Sequence, residues 1–140
     1  MAEAAAAEGG VELPLTLLVL AVAGFGPVAA PGPLYSNCGK LVTRPAAIIV
    51  TCADANYQLR SLRWRSWGPA TAVATGTAEI NDCTPTCVAG HGHAYAVSVT
   101  LSRPTRCGRS LRFLRLAVTF AGARPKGLRK TDIVAGSCRF

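Results

Sequence analysis

The sequence predicts an all-β fold: a small antiparallel β-sandwich, immunoglobulin-like or barrel-like, stabilised by disulfides. Three observations predict it. Beyond residue 46 apolar residues recur with a period of two, and no stretch sustains the 3.6-residue period of a helix. Clusters of Gly, Pro, Asn and Asp divide the chain into short segments at strand-and-turn spacing. Six cysteines, Cys38, Cys52, Cys83, Cys87, Cys107 and Cys138, supply an even number for pairing. The 140-residue chain is alanine-rich and poor in aromatics. Small side chains bury little area each, so covalent staples gain weight.

Residues 1–30 read as a leader. Leu13 to Ala23 is an apolar run, then come Gly24, Gly26 and Pro27, then Val28, Ala29 and Ala30 before a cleavage point. That is the outline of a signal peptide. Glu3, Glu8 and Glu12 replace the usual basic start, and Pro31 would follow the cleavage point. An uncleaved N-terminal anchor and a buried core helix compete with this reading. The anchor reaches a spanning length of ~20 residues only by including Gly26 and Pro27. The basic residues that follow it also run against the positive-inside rule.

Residues 31–45, with Pro31, Gly32, Pro33 and Pro45, read as a linker arm tied to the body by Cys38. Residues 46–140 read as a single β domain. Ala46 to Cys52 alternates, and Asp54 and Asn56 mark a turn. Gln58 to Trp64 places Arg60, Leu62 and Trp64 on one face and Leu59, Ser61, Arg63 and Arg65 on the other. Thr71 to Ile80 has a weak apolar face, which predicts an edge strand, with Gly76 as its bulge. Asn81 to Gly92 is a loop. Ala94 to Leu101 sets Tyr95, Val97, Val99 and Leu101 on one face. Arg103 to Arg109 reads as a basic loop. Leu111 to Phe120 sets Leu114, Leu116, Val118 and Phe120 together. A basic Gly/Pro loop over 121–131 leads to a last short strand at Ile133 and Val134.

The segment from Asn81 to His93 holds two Cys and two His. Cys83, Cys87, His91 and His93 are zinc ligands of accepted type, and a zinc-binding protein or hydrolase built on them is the alternative function. Their spacing is much tighter than that of the usual zinc finger. The competing reading is a disulfide, with His91 and His93 as surface residues entering the next strand, His93 packing beside Tyr95 if that strand extends back to it. Six cysteines allow fifteen pairings. The expected set is a local Cys83–Cys87 bridge around Pro85, with Cys52–Cys107 crossing the sandwich and Cys38–Cys138 fastening the tails.

All 15 Lys and Arg lie beyond residue 30, where only Asp54, Glu79, Asp82 and Asp132 oppose them, so that part of the chain carries +11. Such a surface attracts an anionic envelope polymer or a lipid surface, and nucleic acid less. Arg103, Arg106, Arg109, Arg112 and Arg115 recur every third residue. If the strand carrying Arg63 and Arg65 neighbours them, Arg63, Arg65 and Arg115 form a groove for phosphate or carboxylate groups. Trp64 and Trp67 would then offer stacking surfaces. A solvated basic face, with Trp64 in the core, is the plainer reading, since a spacing of three alternates faces on a strand. No G-x-S-x-G elbow and no Gly-rich phosphate loop is present. The sequence implies no cofactor and places no catalytic residue.

Several motifs carry a family likeness: Cys52-Ala-Asp54, Leu62-Arg-Trp64-Arg-Ser-Trp67-Gly68, Thr75-Gly76-Thr77, Asn81-Asp-Cys83-Thr-Pro85-Thr-Cys87, Gly90 with His93-Ala-Tyr95, Val97-Ser-Val99-Thr-Leu101-Ser102, and Leu114 to Gly122 with Pro125. On these the stretch from Cys52 to about Gly127 resembles a family of small exported actinobacterial proteins of undefined function. The resemblance implies topology and an extracytoplasmic location, secreted or in the cell envelope. It implies no chemistry. The expected function is therefore that of an exported, non-enzymatic β-domain that binds an anionic envelope or extracellular partner. Contact with a membrane is expected only through the leader, if it stays uncleaved.

Overall fold

The computed structural model describes residues 31–139 together with residues 9, 10 and 23–27. Residues 1–8, 11–22 and 28–30 of the expected leader, with nearly all of its Leu13–Ala23 run, lie outside the described residues. Among the described residues no helix is long and apolar enough to cross a membrane.

The strands are β1 (Leu34–Asn37), β2 (Lys40–Val42), β3 (Ile48–Ile49), β4 (Tyr57–Trp67), β5 (Ala72–Asn81), β6 (Gly92–Cys107), β7 (Ser110–Phe120) and β8 (Thr131–Ala135). All eight join one sheet in the order β2-β1-β7-β6-β5-β4-β3, with β8 also on β7. The sheet is curled into a half-barrel. The all-β, disulfide-linked class is as expected. The purely antiparallel expectation is corrected at one pair: β1 runs parallel to β7, Leu34 opposite Arg112 and Tyr35 opposite Phe113. The outer edge of β7 is shared, because β8 takes only Arg115–Thr119 and leaves Arg112 and Phe113 for β1.

Residues 31–45 are not a linker, because they supply β1 and β2. Cys38 and Gly39 have φ of 48° and 88° between Asn37 and its partner Lys40, the two positive dihedrals of a type I′ hairpin turn. Two tryptophans rivet the flanks of this hairpin to the sheet. Trp64 Nε1 donates to the Pro45 carbonyl and Trp67 Nε1 to the Pro33 carbonyl, both at 2.8 Å. The indoles meet edge to face, with centroids 4.6 Å apart. Tyr35 on β1 is largely buried, and burial pushes its hydroxyl up to about 12.

The same hairpin links the two ends of the sheet. Asn37 donates to the Ala47 carbonyl at 3.2 Å and accepts from Ile49 N–H at 3.0 Å. Next to it Cys38 bonds Cys52, with Cα atoms 5.5 Å apart. Side-chain hydrogen bonds and a disulfide therefore tie the β1–β2 end to the β3 end. The other bridges are Cys83–Cys87 and Cys107–Cys138. The local pair is as expected, but Cys52–Cys107 and Cys38–Cys138 are not formed. Cys52 follows β3 while Cys107 ends β6, and β4 and β5 stand between those strands.

β5 is the second correction. It pairs along its length with both β4 and β6, so it is central rather than an edge. Its inward side chains Ala72, Ala74 and Ala78 are fully buried. Small residues on the concave wall leave room for Leu59, Val99, Leu101, Leu116, Val118 and Phe120 from neighbouring strands. A weak apolar face is thus what the inside of a tight curl requires. Gly76 is not itself a bulge, since the β5–β6 register is unbroken there. The bulge lies opposite, on β4, where the register slips between Arg60 and Arg63 and Ser61 has φ of 53°.

That slip re-phases β4. Tyr57 and Leu59 point inward, and after the extra residue Leu62 does too, which corrects the expected split of Leu59 from Leu62. A second slip, between Trp64 and Ser66, brings Trp67 beside Trp64 despite their spacing of three. On β7 the buried face changes near Leu114, which is only partly buried, whereas Phe113 is buried against Trp67 with centroids 5.7 Å apart. Across the ladder Arg103 has φ of 57°. The expected loop Arg103–Arg109 is a continuation of β6 to Cys107 and the turn into β7.

Candidate functional site

The loop between β5 and β6 is built from local side-chain bonds to backbone. Asn81 Oδ1 accepts from Cys83 N–H at 2.9 Å, and its amide donates to the Cys87 carbonyl at 2.8 Å. Asp82 Oδ1 accepts from Thr84 N–H at 3.1 Å and from His91 N–H at 3.0 Å. Its other oxygen lies 2.9 Å from His93 Nε2. Gly90 makes this closeness possible. A Cβ there would stand 2.8 Å from Cys83 N, 2.9 Å from Asp82 Oδ1, and overlap Asn81 Oδ1.

The alternative zinc set comes apart in this geometry. Cys83 and Cys87 are bonded to each other, so neither offers the thiolate that a metal requires. His93 is turned to Asp82, and His91 is exposed. What the loop does assemble is an Asp–His pair. The His93 hydrogen bond, then the backbone bonds from His91 and Thr84, lower the Asp82 carboxyl to about 2. Asp82 holds Nε2 as the donor, which leaves Nδ1 of the neutral ring as an acceptor. Among the described residues no hydroxyl or thiol is hydrogen-bonded to His93, and what the contact does is orient the imidazole.

His93 borders a cleft of about 550 Å³ at one mouth of the curled sheet. Tyr57, Ile80 and Tyr95 form its wall from β4, β5 and β6; Asp82 and Thr84 come from the disulfide loop. The 121–131 loop supplies the far side. Leu128 N–H bonds the Pro125 carbonyl at 3.2 Å and Gly127 has φ of 89°, the pattern of a type II turn with Gly at its third position. The turn puts Lys126 and Leu128 on the cleft. Arg124 Nε secures it by donating to the Leu128 carbonyl at 3.0 Å. Tyr57 is buried, and its hydroxyl has no hydrogen bond of ordinary geometry. Burial, and then the charge of Asp132 on β8, raise the tyrosine pKa. Sequence reasoning placed His93 beside Tyr95 and Asp82 within the Asn81–Gly92 loop, but missed the pair. It read Pro125-Lys-Gly127 only as loop.

The arginines fall into two groups. Arg63 and Arg65 are exposed on β4 and Arg115 is exposed on β7. β5 and β6 lie between those strands, a separation of roughly 14 Å at ordinary strand spacing. The expected single groove is therefore not assembled. Arg115 belongs to a different feature. β6 pairs with β5 only as far as Leu101, while its pairing with β7 runs on to Cys107 and Ser110. The extension is an arm carrying Arg103, Arg106, Arg109, Arg112 and Arg115. Gly108, with φ of 61°, takes the first corner of its two-residue turn, as in a type II′ hairpin. Phe113 and the Cys107–Cys138 bridge anchor the arm. Among the described residues the carboxylates that meet a basic side chain are Glu79, on Arg60, and Asp82, on His93, so none of the five arm arginines is neutralised. Trp64 and Trp67 are bound to Pro45 and Pro33 and packed, which takes their indole N–H groups out of use as partner contacts.

Comparison of the chain with protein-family models finds no match. Neither a curated protein nor a solved structure matches it significantly. Three disulfides suggest an oxidising, extracytoplasmic environment, where such bonds form and persist.

Proposed function

We propose that the chain is an exported, non-enzymatic β-domain that binds an anionic envelope or extracellular polymer through the β6–β7 arm. The observation that carries the reading is the arm itself: five arginines on one hairpin, Arg103, Arg106, Arg109 and Arg115 exposed and Arg112 half-buried, with no carboxylate paired to any of them among the described residues. Guanidinium groups bind carboxylate and phosphate oxygens by two parallel hydrogen bonds, so spaced arginines suit a repeating anion. Disulfides at Cys38–Cys52 and Cys107–Cys138 suit a small domain that works outside the cell. We read the curled sheet as the barrel-like form of the expected fold.

The test is titration with polyglutamate and with polyphosphate at increasing salt. Saturable binding that weakens with salt is expected. Replacing Arg106, Arg109 and Arg112 by Gln weakens it by roughly tenfold or more, at the ordinary strength of charged hydrogen bonds. Replacing Arg63 and Arg65 by Gln has a much smaller effect. Unchanged affinity in the arm variant refutes the proposal, and binding to anionic vesicles but to neither polymer moves the partner to a lipid surface.

A further inference from the structure

The cleft has the features of a small-ligand site that the arm does not explain. Its volume, about 550 Å³, lies inside the range of roughly 300–1,000 Å³ common to such sites. Its wall is apolar and partly aromatic. Tyr95 is braced edge to face on Phe120, with centroids 5.9 Å apart. Its polar groups are fixed before any ligand arrives: Asp82 is held by two backbone N–H groups and in turn holds His93.

The polar groups differ in what they leave over for a ligand. The oxygens of Asp82 are committed to the loop and to His93. His93 retains one acceptor nitrogen. Lys126 forms no ion pair among the described residues, and Arg124, Arg129 and Lys130 flank it in the same loop. The site therefore offers a cation, an acceptor for one hydroxyl hydrogen, and an aromatic wall. The buried Tyr57 hydroxyl beneath it lies near Asp132 and, among the described residues, has no hydrogen bond of ordinary geometry.

We propose that this cleft binds an acidic sugar, with the carboxylate at Lys126, a ring hydroxyl at His93 Nδ1 and the C–H face of the ring against Tyr95. A purely apolar ligand would leave Lys126 and His93 unmatched. An inorganic anion would leave the aromatic wall unused. A neutral sugar would forgo the cation. The proposal does not rest on the arginine arm, because no arm residue borders the cleft.

The test is a titration of the full chain with glucuronate, followed by amide NMR, with glucose and acetate as separate probes at constant ionic strength. Glucuronate is expected to give saturable shifts at His91–Tyr95 and Lys126–Leu128 and none on the arm. Lys126→Ala and His93→Asn each weaken binding by roughly tenfold, as loss of a charged or oriented hydrogen bond does. Lys126 is exposed in a turn, so its variant keeps the fold, and the undisturbed remainder of the spectrum verifies that. Three results would overturn the proposal: no saturable shift at the cleft, an equal response to acetate, or glucuronate shifts that map to Arg103–Arg115 instead. The last result would leave the arm reading standing.

Discussion

Replacing Gly76 by Ala probes the curl of the sheet directly. Gly76 sits on β5 opposite the β4 bulge. A Cβ there would lie 2.8 Å from the Arg60 carbonyl oxygen, 2.8 Å from Leu62 Cδ2 and 3.3 Å from Leu62 Cα. Two of these atoms are backbone, and the third belongs to a side chain only 7% exposed. None swings away cheaply. Overpacking of this kind costs about 1–3 kcal/mol. Glycine in a strand is itself unfavourable by roughly 0.5–1 kcal/mol, which alanine recovers. The net expected loss is about 1–2 kcal/mol, or roughly 5–10 °C in Tm for a domain of this size. Urea unfolding with disulfides intact measures it. Gly122→Ala is the control, because nothing lies within 4 Å of a Cβ at that position. If Gly76→Ala is as stable as the parent while Gly122→Ala behaves as expected, β4 does not bulge towards β5 and the account of the curl fails.

The Asp82 carboxyl is lowered from 3.8 to about 2, chiefly by His93 and then by backbone N–H groups. A lowered carboxyl contributes stability that is fully present above its unfolded pKa and is lost as pH falls through the folded one. The urea midpoint should therefore decline between about pH 4 and pH 2, and Asp82→Asn should flatten that limb; identical profiles would show that the pair contributes nothing. Paired Cys→Ser replacements should rank by the chain each bridge closes, with separations of 31, 14 and 4 residues. Loop-closure entropy gives about 4 kcal/mol for Cys107–Cys138, about 3 for Cys38–Cys52 and about 2 for Cys83–Cys87, and unfolding free energies check the order.

The sequence carried the strand content because alternation is a local signal. Ala94–Leu101 sits inside β6 with Val97, Val99 and Leu101 inward, as the period-two reading requires. It failed where a neighbour decides the phase. Leu59 and Leu62 share the core only because β4 gains a residue at Ser61, and the visible trace of that bulge is Gly76 on the next strand. It failed again at β5, since an alanine face signals an edge or a tight inner wall equally well. The two long-range disulfides depend on which strand ends meet, and β1 reaches β7 by a parallel pairing that no short-range pattern encodes. Of the site, the types were legible and the partners were not. Asp82 and His93 lie eleven residues apart and meet through a loop closed by Cys83–Cys87 and Gly90. Lys126 joins them from a turn beyond β7.

The disulfides fix which ends of the curled sheet are joined. Peptide mass spectrometry of the unreduced, thiol-blocked protein reads that out. The expected result is three linked species, Cys38–Cys52, Cys83–Cys87 and Cys107–Cys138, with no blocked thiol. A Cys52–Cys107 or Cys38–Cys138 link would contradict the way the two ends of the curled sheet are stapled and the way the arginine arm is anchored.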